Sequence, residues 1–220
     1  MRSWRPRRAV WWKRGVKGGA TVPSRILLFA LSAILLAVLI GCSGFGRVEQ
    51  GQVIAYDRTA GVVTLIRDSN YKDPANPRFD LLPPVSVRVP QNPAEMGPEP
   101  EAGRLLALDW KQGRAVIFDP VTEALKEIPV AVLDVQTQVA RDDARLGGRK
   151  FPVVDRAGGT VTVILPRRRT IVTFRPPEEY LGLPEDTWKV GDEVRYYYKD
   201  PEQALRMMNV SKTEVGGAKS

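Results

Sequence analysis

The chain has 220 residues and 43% hydrophobic content, enough for a globular body of one or two domains. Its net charge of +8 would point to nucleic acid if it were spread over the body. It is not: eight of the 33 basic residues (Arg2, Arg5, Arg7, Arg8, Lys13, Arg14, Lys17, Arg25) lie in residues 1–41, which hold no acid. The remainder is neutral, 25 basic residues against 25 acidic, so no nucleic-acid partner is expected. The chain has no histidine and one cysteine, which excludes Ser-His-Asp and Cys-His catalysis and a His/Cys zinc site.

In chain order, the basic segment leads into an uncharged apolar run, Ile26 to Ile40. It is shorter than the ~20 residues a membrane-spanning helix needs but suits the apolar region of an export signal. Leu39-Ile40-Gly41-Cys42 follows directly. This arrangement resembles the precursor of a bacterial lipoprotein, whose lipobox ends in Gly or Ala and then Cys. The resemblance implies removal of residues 1–41, acylation of Cys42 and attachment to the bilayer through it. Two or three acyl chains make a lasting anchor where one is marginal. Ser43 rather than Asp follows the cysteine, which implies the outer membrane before the inner, with the body facing the periplasm.

Residues 42–46 are then expected to form a lipidated tether, and from there β-hairpin signals dominate. Three segments share the plan strand, Asp, three residues, Gly, strand: Val53 to Ile66 about Asp57 and Gly61, Leu105 to Phe118 about Asp109 and Gly113, and Phe151 to Ile164 about Asp155 and Gly159. An Asp opening a turn accepts backbone N–H bonds two and three residues on, and the Gly supplies the positive φ that closes the hairpin. These aspartates read as turn residues, not catalytic ones. Similar strand and Pro-rich loop patterns after the first and third hairpins suggest duplication.

The expected fold is therefore all-β, with two small tandem barrel-like domains at 47–139 and 150–213, joined by a linker at 140–149 and followed by a tail at 214–220; a single β-sandwich is the alternative. Lys189 to Tyr198 resembles the V-G-D-x-V strand opening common in small OB-like and SH3-like barrels.

Arg167, Arg168 and Arg169 form the one concentrated basic patch of the body and could meet an anion, a lipid phosphate or an acidic partner. Tyr196 and Tyr198 share a strand face that could stack on a sugar, although such a face more often packs in a core. Glu178, Glu179, Glu185 and Asp186 lie in a Pro-rich loop; they could supply paired-carboxylate glycan chemistry but read better as a solvated loop. Asp68 to Asp73 lacks the glycine and terminal glutamate of a calcium loop. No cofactor or metal is expected. The body also resembles an uncharacterised family of Gram-negative envelope lipoproteins through VEQGQVIAYD, VTLIRDSN and the Lys189 to Lys199 strand. The resulting expectation is a non-catalytic binding or assembly module with an envelope protein or glycan partner, and oligosaccharide or anion binding as the alternative.

Overall fold

A computed structural model describes residues 45–73, 75–140 and 142–213. The segments expected to be a signal peptide, a lipobox (Leu39, Ile40 and Gly41), a lipidation site (Cys42) and a tail (214–220) lie outside the described residues. The body is predominantly β, with strands β1 (Arg47–Asp57), β2 (Val62–Asp68), β3 (Phe79–Arg88), β4 (Leu105–Asp109), β5 (Arg114–Asp119) and β6 (Ala124–Pro129). There follow β7 (Ala131–Gln136), β8 (Val153–Asp155), β9 (Thr160–Leu165), β10 (Thr170–Arg175), β11 (Glu193–Asp200) and β12 (Gln203–Asn209).

The three hairpin turns form as their chemistry dictates. Asp57 Oδ1 accepts from the N–H groups of Thr59 and Ala60, each at 2.9 Å. Asp109 Oδ1 accepts from Lys111 and Gln112 at 3.0 Å, and Asp155 Oδ1 from Gly158 at 2.8 Å. Gly61, Gly113 and Gly159 close these turns at φ +63°, +65° and +64°.

The strands are distributed over one closed barrel, ordered β1-β11-β12-β3-β2, a four-stranded sheet β7-β10-β9-β8 and a three-stranded sheet β4-β5-β6. This order does not follow the division expected at 140–149. β1 pairs with β11 from Arg47 opposite Tyr198 to Gln52 opposite Glu193, so strands from both expected domains share the barrel. β7, expected in the first domain, pairs with β10 of the second. Residues 140–149 connect the two opposite edge strands, β7 and β8, of one sheet. The physical reason is burial: a few short strands cannot enclose a core alone, and pairing the chain's two ends completes one. A shared hairpin plan reports a shared turn chemistry, and duplication is one of several ways to acquire it.

Strand alternation fills the barrel with Val53, Val63, Leu65, Val87, Val194, Tyr196, Tyr198, Ala204 and Met207. The Pro-rich segment after β3 brings Met96 and Ala102 against this core. The two other sheets share a second core, with Leu105, Ile117 and Ile128 from one and Val161, Val172 and Phe174 from the other, around the fully buried Trp188. Trp188 meets Phe174 edge-on at 5.6 Å. Ile54 and Ile66 on the barrel's outer face pack with Leu106 and Phe118, joining the barrel to the three-stranded sheet.

Candidate functional site

Alternation along β1 sends Gly51 and Val53 inward and Gln50 and Gln52 outward, yet both glutamines are buried, at 3% and 1% exposure. Gln50 lies between Asp68 at the end of β2 and Glu193 at the start of β11. Its Nε2 donates to Asp68 Oδ2 at 3.2 Å and to Glu193 Oε1 at 2.5 Å. Its Oε1 accepts from Arg195 Nε and Nη2 at 3.0 and 2.7 Å. One amide thus bridges two buried acids and a guanidinium, with its donor and acceptor sides both used. Asp68 Oδ1 also accepts from the N–H groups of Asn70 and Arg78, both at 2.8 Å. These bonds make the Asp68 to Asp73 stretch a turn.

Glu193 is only 6% exposed and forms an ion pair with Arg167. Burial pushes its carboxyl above the usual glutamate range; Arg167 opposes this, the Asp68 charge adds to it and Arg195 opposes it. Beside the pair a cleft of about 680 Å³ opens, lined by Val139, Leu146, Pro166, Arg167, Arg169 and Glu193 among others. Its walls combine apolar side chains with charged groups that are already partnered within the protein, Arg167 with Glu193 and Arg169 with the Val139 carbonyl.

Of the three arginines expected to form one patch, the structure parts Arg168 from Arg167 and Arg169. Arg167 pairs with the barrel's Glu193, Arg168 lies over the Trp110 ring at 5.0 Å, and Arg169 Nε donates to Val139 O at 3.3 Å. The turn that carries them, Pro166–Arg168 capped by left-handed Arg169 at φ +49°, braces the barrel against the four-stranded sheet. Arg167 and Arg169 reach the cleft. Tyr196 and Tyr198 do share a face, but it is the inside of the barrel, where they are 1% and 6% exposed and stack at 5.4 Å. Their hydroxyls donate to Glu49 at 2.9 and 2.7 Å, so neither ring face is open to a ligand in this structure. Asp186 pairs with Arg104, and Glu178 and Glu179 sit on the single helical turn Glu178–Leu181.

Motifs do not single out Glu193, Gln50 or Arg195, and they point to Asp68 only as the start of a stretch that fails as a calcium loop. A signal did exist: the apolar positions Val194, Tyr196 and Tyr198 leave Glu193 and Arg195 on one strand face. Their meeting with Gln50, 143 residues from Glu193, is a matter of tertiary pairing.

Residues 44–216 match the family described as a Domain of unknown function (DUF4881). The chain belongs to this family. The DUF4881 match takes in the barrel, both sheets and the cleft, and runs across the 140–149 segment. It begins at residue 44, so residues 1–43 lie outside it. No curated protein and no solved structure matches the chain. Among the described residues of this DUF4881 body no helix is long and apolar enough to cross a membrane.

Proposed function

We propose that this DUF4881 protein is a lipid-anchored component of a bacterial envelope, acylated on Cys42, whose body is a non-catalytic binding or assembly module facing the periplasm. The leader supports the anchor: a basic segment, an apolar run and Leu39-Ile40-Gly41-Cys42, all before the family match begins at residue 44. The strand order β1-β2-β3-β12-β11, with β3 and β12 parallel, resembles an OB-like barrel carrying β4 to β10 as an insertion between its third and fourth strands. Such barrels serve widely as binding modules, although a fold by itself assigns no partner.

The observation that carries the non-catalytic reading is how the acids are held. Asp68 accepts from Gln50 and from backbone N–H groups, and Glu193 accepts from Gln50 and pairs with Arg167, so the oxygens of both acids are already engaged by the fold. A cross-linking pull-down from native envelopes, with the lipidated protein tagged after Ser220, tests the assembly role. A stoichiometric protein partner supports it, and recovery of the bait alone contradicts it.

The cleft at Arg167, Arg169 and Glu193 favours a second reading, in which the module takes an anion or an oligosaccharide. Titration with inorganic phosphate and a panel of oligosaccharides, on wild type and Arg169→Ala, checks this. Saturable binding weakened at least about tenfold by Arg169→Ala supports the reading, a ratio equivalent to ~1.4 kcal/mol; equal affinities for both proteins count against it.

A further inference from the structure

We infer that the mouth of the barrel at which β1 begins lies against the lipid headgroups and acts as an interfacial docking face, with the bilayer as its occupant. This rests on the anchoring reading above. Antiparallel pairing of β1 with β2 and β11, and the parallel β3–β12 contact, place the starts of β1, β3 and β12 and the ends of β2 and β11 at one mouth. That mouth carries Phe45, Val48, Tyr71 and Leu81, at 89%, 56%, 52% and 39% exposure. Lys72 holds its ammonium 6.0 Å from the Tyr71 ring, and Arg47 is also exposed there. Aromatic and aliphatic groups beside cations suit the headgroup boundary, where the apolar part enters the acyl edge and the cation meets phosphate.

Chain length selects the bilayer over other occupants. Three peptide units separate Cys42 from Phe45, and at a maximum of about 3.6 Å each they span no more than about 11 Å. An acyl group on Cys42 therefore holds Phe45 within a headgroup layer's depth of the acyl boundary. The opposite mouth, at the Asp57–Gly61 turn, lies up to 11 residues of β1 away. At ~3.3 Å per residue and a barrel tilt near 40° this is roughly 25 Å from the membrane side.

The single cysteine makes the test direct, because an acylated Cys42 offers no thiol. Lipidated wild type and the Val48→Cys, Tyr71→Cys and Thr59→Cys variants are reconstituted in phosphatidylethanolamine–phosphatidylglycerol vesicles and treated with a thiol-reactive fluorophore. Brominated lipids then report depth. The expected result is no labelling of wild type, quenching of about twofold or more at positions 48 and 71 as for groups 5–10 Å into the interface, and no quenching at Thr59 in the opposite turn. An unlabelled wild type with position 71 no more quenched than position 59 overturns the docking face and leaves the anchor intact. A wild type that labels at Cys42 overturns the anchor, and the docking face with it.

Discussion

Gly191 shows how little room one residue has where β11 enters the barrel. A Cβ there would sit 2.0 Å from the carbonyl oxygen of Val53, which already accepts from Gly103 N–H at 3.0 Å. Gly191→Ala is expected to lower stability by about 3 kcal/mol, the upper part of the range for overpacking, measured by urea unfolding. Glu193 makes a different residue-scale prediction. Its folded-state pKa is raised above the usual value of 4.5, so the folded protein holds this proton more tightly than the unfolded chain. Its contribution is therefore favourable at low pH and is lost as pH rises from about 4.5 through the folded value. Glu193→Gln should flatten that fall, seen in unfolding curves collected from pH 4.5 upward; an unchanged slope would show that Glu193 titrates normally. Glu101 acts in the other direction and a separate window: hydrogen bonds from Lys189 and Lys212 hold it down to about 2, so its contribution is lost as pH falls from 4.5 toward that value.

Between elements, the turn joining β9 to β10 is the fastener. Arg167 is 39% exposed while the Glu193 side chain is 7% exposed, so removing the arginine strands the buried partner. Arg167→Ala should cost about 2 kcal/mol, less than a fully buried pair because half the pair is wet. Arg167→Ala combined with Glu193→Gln should recover part of that loss. Additive losses in the double-mutant cycle would mean the two side chains are uncoupled. The elements themselves were largely legible. Asp57, Asp109 and Asp155 with their glycines specify hairpins through bonds two or three residues long, and the structure contains all three. Tyr196 and Tyr198 were rightly placed on one face, because period-2 alternation is local. Which side of the sheet that face would occupy depended on β1, far away in sequence, and so was not legible. The arginine run likewise gave a patch, whereas the neighbours brought by folding give each side chain its own partner (Glu193, Trp110 and Val139) and leave only Arg167 and Arg169 at one cleft.

For the whole molecule, the ends of the chain complete one another. β1, β2 and β3 form a barrel only with β11 and β12, and the intervening strands supply two sheets around Trp188. Alternating hydrophobicity identifies a strand without naming its partner, which is why two tandem barrels were expected where the sheets interleave. A fragment ending at residue 139 retains β1 to β7 but loses both closing strands, and should show no cooperative unfolding by circular dichroism. A fragment spanning 43–213 should unfold in a single transition. A cooperative transition in the shorter fragment would restore an independent first domain. The proposed role of the whole molecule requires the body to be held to a membrane through one residue. Intact-mass spectrometry of the protein purified from its native envelope, alongside Cys42→Ser, tests that most directly. The expected result is a mature chain beginning at Cys42 and carrying a diacylglyceryl group and an N-acyl chain, with the variant retaining residues 1–41. An unmodified Cys42 in the native protein would contradict it.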